Sequence, residues 1–144
     1  MIRYLLSLIV FLAVMSFATI FSGSTIGVLL NINSFLISGI FPIIFACILF
    51  SFRETVLSFS VLLKKEPEKE NLLKALNFFK IYGKILWITG IIAVLIITVS
   101  MLTNLDDKSG LGVGLHLALI TILYCGIITM GITIPYTILI KKKL

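Results

Sequence analysis

Reactive side chains are few in this sequence and stand far apart. One histidine, His116, two cysteines, Cys47 and Cys125, and six carboxylates (Glu54, Glu66, Glu68, Glu70, Asp106 and Asp107) are the whole stock for acid–base, nucleophilic or metal chemistry in 144 residues. A nucleophile needs an adjacent base, and acid–base work needs two groups whose surroundings hold their pKa values apart. The sequence has no His-Glu-x-x-His, no Cys-x-x-Cys and no glycine-rich phosphate loop behind a strand. Two thiols alone do not make a zinc site. Cys47 and Cys125 both fall inside long apolar runs, where a thiol serves as a small packing group rather than half of a disulfide. The sequence therefore predicts no catalytic residue, no metal and no cofactor.

Composition sets the elements that must hold these residues. Hydrophobic residues make up 60% of the chain and charged residues 12%, against about 25% charged in an ordinary soluble domain. That is too little polar surface to cover a globule in water, and an integral membrane protein is expected. No charge occurs from Tyr4 to Phe52, from Ile85 to Leu105 or from Ser109 to Ile140. The first interval exceeds one span, since ~20 apolar residues cross ~30 Å of hydrocarbon. It breaks at Gly23-Ser24-Thr25-Ile26-Gly27 and again at Asn31-Ile32-Asn33-Ser34, both rich in turn formers. The expected fold is all-α, a single unit over residues 1–144 with four transmembrane helices at about 4–22, 34–52, 85–103 and 112–140. The first apolar stretch, about 19 residues, is longer than the ~7–15 of a signal peptide core and is read as a span.

Basic residues orient the spans, because short basic loops stay in the cytoplasm. Arg3 precedes span one; Arg53, Lys64, Lys65, Lys69, Lys74, Lys80 and Lys84 separate spans two and three; Lys141, Lys142 and Lys143 follow span four. Lys108 alone falls on the other side. Both termini are therefore expected in the cytoplasm, in the lipid bilayer of an inner membrane. The net charge of +6 follows from this bias and does not imply nucleic-acid binding, which would need a basic patch on a soluble face. The cytoplasmic loop 53–84 is expected to be short and helical. Apolar residues recur at helical spacing on both sides of Pro67 (Val56, Phe59, Leu63; Leu72, Leu73, Leu76, Phe79), so span two should run on to Pro67 and an approach helix should lead into span three. Solvated helix ends over lipid head groups and a specific docking surface both fit this segment.

Spans three and four carry small and polar residues at packing intervals. Gly114, Ala118, Thr121, Cys125 and Thr129 share one face of span four, and Gly83, Gly90, Ala93 and Ser100 one face of span three. In lipid such stripes let helix backbones approach closely. They fit plain packing within the chain, and equally a lining for a partner helix or a hydrated path. His116 lies one turn into span four, as an interfacial residue or a proton relay.

The run from Met101 to Gly114, with Asn104-Leu105-Asp106-Asp107 at its centre, and then Ala118-Leu119-Ile120-Thr121-Ile122-Leu123-Tyr124, resembles the MotA/TolQ/ExbB proton channel family. The likeness is to the end of the third helix, the outer loop and the start of the fourth, and is nearest to the flagellar stator subunit. Pro135 matches a proline near the inner end of the family's fourth helix. The likeness covers about residues 99–136, is weaker over the first two spans and is absent between them.

The resemblance implies a homopentamer around a dimer of a single-span MotB-like partner, which supplies the ion-binding aspartate. Ion flow is turned into mechanical work. By that likeness Gly90, Ala93, Val94, Ala118, Thr121, Ile122, Cys125 and Pro135 would face the partner or line the ion path, with Asp106, Asp107 and His116 at the outer mouth. The sequence departs from the family in three places of its path. Ile122 replaces the second of two threonines, Trp87 stands where a proline is expected and Val94 where a threonine is. These exchanges dry the path unless Thr89, Thr98 and Thr121 compensate through a rotation of the helices. The large cytoplasmic insertion that contacts the flagellar rotor is missing; only Arg53–Lys84 stands there. Three functions follow as expectations: a compact stator-like motor subunit, a non-conducting structural or assembly relative, or an unrelated holin-like or toxin-like pore former.

Overall fold

The computed structural model describes residues 2–23, 26–63, 67–106 and 108–144, and every regular element among them is helical. Three helices are long and apolar enough to cross a membrane: α2 (Ile32–Phe50), α4 (Lys69–Leu102) and α5 (Lys108–Lys143). Two further helices, α1 (Ile2–Phe21) and α3 (Phe52–Ser60), complete the set. Within α1 the stretch Leu8–Phe21 is apolar. The chain falls into two compact units, Met1–Ile32 and Asn33–Leu144.

The first unit is α1 and the turn after it. Its helix ends where Gly23 takes φ +71°, the left-handed conformation that closes many helices and that a Cβ would penalise. The amide of Gly23 donates to Ile20 O at 3.0 Å. In α1 Thr19 donates its hydroxyl to Met15 O at 2.8 Å, and just past its end Ser22 donates to Thr19 O at 2.7 Å. An apolar surrounding leaves such groups no water to bond. A 3-10 turn, Ile26–Leu29, follows.

In the second unit α4 is the axis, touched by α2, α3 and α5. It is one uninterrupted helix of 34 residues, ~51 Å at 1.5 Å per residue. The sequence places a boundary at Ile85 because charges stop there, but charge marks a change of surroundings and not a helix end. The same holds for α5, which extends from Lys108 to Lys143 beyond the expected 112–140.

Both α2 and α5 contain a π turn, at Leu36–Ile40 and Thr129–Thr133. Each lies just before a proline, Pro42 or Pro135, at the first turn of the α-helix that follows. A proline removes one backbone donor and drives its ring against the carbonyl four residues back, here Ser38 and Gly131. A widened turn relieves that clash without ending the helix.

The expected run of span two to Pro67 is not what forms. The helix breaks at Ser51, which takes φ 67°, ψ 144°, and α3 starts afresh at Phe52. The amide and hydroxyl of Thr55 both donate to Ser51 O at 3.1 Å. After the break, α3 and the 3-10 turn Val61–Leu63 pack with the first turns of α4 and the end of α5. There Ala46, Val61, Leu72, Ala75, Phe78, Phe79, Tyr82 and Ile140 form the core. Aromatic edges fill it: Phe59 stands 5.2 Å from Phe79 and 5.8 Å from Tyr136, and Phe50 5.4 Å from Phe78, all near perpendicular. Such pairs contribute about 0.5–1.5 kcal/mol each beyond burial. Of the loop's apolar residues, Leu72 and Phe79 are buried and Phe59 and Leu76 half-buried, whereas Val56, Leu63 and Leu73 are exposed. Lys143 Nζ donates to Leu62 O at 3.1 Å, tying the end of α5 to this core.

Candidate functional site

The closest helix contact in the second unit joins α4 to α5, and glycines make it. A Cβ on Gly90 would come within 2.5 Å of Cys125 Sγ; one on Gly83 would meet Thr133 Cγ2 at 2.9 Å; one on Gly114 would meet Met101 Cγ at 2.6 Å. These pairs run in opposite directions along the two helices, so α4 and α5 are antiparallel, with side chains of each seated in glycine notches of the other. Cys125 Sγ is placed to donate to Leu86 O at 3.5 Å, which occupies its weak donor. Both Cys125 and Cys47 are free thiols.

Beside that contact, on the same face, α5 also meets α2 through hydroxyls. Thr121 Oγ1 lies 2.7 Å from Leu117 O and 3.2 Å from Ser34 Oγ, and Ser38 Oγ donates to Ser34 O. All three residues are buried, and every hydroxyl in the group has a partner, as burial demands. Thr133 differs: its Oγ1 is buried with no hydrogen-bond partner.

Of the residues singled out by sequence, Gly90, Ala93, Ala118, Thr121 and Cys125 are buried in the second unit, and Gly90 and Cys125 meet. Val94 and Pro135 are half-buried. Ile122 turns outward and is 41% exposed, as it must when Thr121 faces α2, because neighbouring helical positions point ~100° apart. Asp106 and His116 are exposed and stand apart from this cluster. Asp107 lies outside the described residues. Ser34 and Ser38 are the residues that sequence reasoning missed. Their four-residue spacing in an apolar run is the same signal that marked spans three and four.

Cavities flank the hairpin. One, of about 440 Å³, opens between the end of α4 and the start of α5 and has Ser100, Asn104 and Gly114 in its wall. Asn104 Nδ2 donates to Ser100 O at 3.2 Å. Another, of about 430 Å³ between α2 and α4, is almost wholly apolar, with Leu36, Phe41, Ile92 and Ile96 in its wall.

Several hydroxyls along the two long helices are bonded to their own backbones. Thr98 donates to Val94 O at 2.8 Å, Thr129 to Cys125 O at 2.7 Å and Thr137 to Thr133 O at 2.7 Å. Outward, α4 presents Ile88, Ile91, Leu95 and Val99, and α5 presents Leu115, Leu119 and Ile122. Among the described residues no three of His, Cys, Asp and Glu gather to hold a metal. The arrangement can pack against lipid or an apolar helix, and it offers no paired acid and base. Compared with known protein families and with curated proteins, the chain matches none.

Proposed function

We propose that the protein is a MotA-like subunit of an ion-driven complex in a bacterial inner membrane. In this reading α1, α2, α4 and α5 are the four spans, and both termini are cytoplasmic. Five copies surround two single-span partner helices that bring the ion-binding carboxylate. The observation that carries the reading is the α4–α5 hairpin. Two long antiparallel helices, locked through Gly83, Gly90 and Gly114, are joined through the segment that resembles the family's outer loop. Neither helix has a charge between Ile85 and Leu105 or between Ser109 and Ile140, as a division of labour with a carboxylate-bearing partner requires.

A second reading, a non-conducting relative that keeps the ring but not the path, has its own support. Thr121 is committed to α2, and the outward side of the hairpin at Ile122 is aliphatic. Native mass of the detergent-solubilised protein, alone and with a single-span, aspartate-containing membrane protein encoded beside it, tests the shared architecture. A five-to-two assembly is expected. A monomer or dimer in both preparations would remove both readings and leave the resemblance as ancestry.

A further inference from the structure

One concavity on the second unit has two lysines in its wall. A cavity of about 420 Å³ is walled by Lys80, Gly83, Lys84, Trp87 and Ile88 of α4 and by Thr129 of α5. Positions 80, 83, 84 and 87 share one helical face by their spacing, so the stems of two lysines and an indole line one mostly apolar wall, and the two exposed lysines carry their ammonium groups toward water. The close approach of the helices at Gly83 brings α5, and with it Thr129, up to the cavity. Both lysines are exposed, and neither makes an ion pair among the described residues. The Thr129 hydroxyl is already donated to Cys125 O, so the free donors here are the lysines.

Along this wall the chemistry changes within two turns. The charged part ends at Lys84, the charge-free interval starts at Ile85, and Trp87 and Ile88 are 40% and 58% exposed. Lysines that reach toward water while their stems lie on apolar surface, with a tryptophan one turn deeper, mark the level of lipid head groups. We infer that this cavity binds an anionic phospholipid, its phosphate between Lys80 and Lys84 and an acyl chain over Trp87 and Ile88. A phosphate joined to hydrocarbon matches both halves of the wall, whereas a free anion would leave Trp87 and Ile88 bare. The inference rests on the membrane placement proposed above and not on the motor.

Trp87 is the one tryptophan in the chain, and its fluorescence reports occupancy directly. The full chain is reconstituted in phosphatidylcholine vesicles, and its quenching by brominated phosphatidylglycerol and by brominated phosphatidylcholine is compared. The anionic lipid is expected to quench in preference, at about fivefold for each lysine that contributes. Lys80→Gln with Lys84→Gln should bring that preference close to one. Lys141→Gln with Lys142→Gln, the same loss of charge at the end of α5, should leave it. Equal quenching by the two lipids, or an equal loss in both double variants, would overturn the site and leave the membrane placement standing. Quenching by neither lipid would overturn that placement together with the site. Millimolar inorganic phosphate that abolished the preference would assign the pocket to a free anion and overturn the lipid.

Discussion

Ser51 holds a backbone conformation, φ 67° and ψ 144°, that is close to glycine's alone and costs other residues about 1–3 kcal/mol. Nothing in its neighbourhood of sequence announces this, because Phe50-Ser51-Phe52-Arg53 has no glycine, proline or asparagine to signal a break. The cost is met by the contacts that α3 makes once it has turned, among them buried Thr55 and Ser58. Ser51→Gly is therefore expected to raise stability by about 1 kcal/mol, and Ser51→Val to lower it, both read from unfolding of the detergent-solubilised protein. A loss of stability in the glycine variant would mean that the hydroxyl, and not the backbone, matters there. Thr121 was legible as a packing residue from its interval, but its bond to Ser34 was not. A contact between positions so distant in the chain leaves no local trace.

Among the elements, the antiparallel register of α4 and α5 is carried by glycine notches, and the small-residue intervals in the sequence did point to those faces. Gly90→Ala is expected to cost about 1–3 kcal/mol, the usual penalty for forcing a methyl into a filled space. Gly126→Ala, where a Cβ meets nothing within 4 Å, is the matched control and should be neutral or slightly stabilising. Adding Cys125→Ala removes the sulfur that Gly90→Ala strikes. The double variant should then recover most of the loss, a coupling that a double-mutant cycle measures. The ends of the elements were less readable than their faces. Lys69–Leu102 is continuous because nothing between Glu70 and Leu102 breaks a helix, and its charges mark only where its surroundings change. The π turns were hidden for a related reason: Pro42 and Pro135 predict a disturbance in each helix but not its form.

At the scale of the whole molecule, the chain is rich in exposed apolar surface, and the aromatics that it does bury lie in one place. That core gathers α2, α3, α4 and α5 around Phe78, Phe79 and Tyr82, largely from the segment expected to be a short helical loop. Sequence reasoning picked out the apolar positions Phe59, Leu72, Leu76 and Phe79 by their spacing, but a meeting of four helices leaves no local trace. Function divides on the outward face of α5. If the assembled complex conducts along it, Ile122→Thr should give a modest rise in ion flux in reconstituted vesicles. An unchanged flux in a complex of intact mass would favour the non-conducting reading. Thr121→Ile is a poor converse, since it would crowd Ser34 before it changed any path. The uninterrupted course of α4 has a mechanical consequence. A rod without a π turn or a proline has no point at which to absorb a change of angle. Its first 16 residues, Lys69 to Lys84, extend ~24 Å before the charge-free interval begins. A tilt of ~10° there would sweep Lys69 sideways by ~4 Å and carry with it the core that Leu72, Phe78 and Phe79 help to form, while the wide turns of α2 and α5 are the places where those helices can bend.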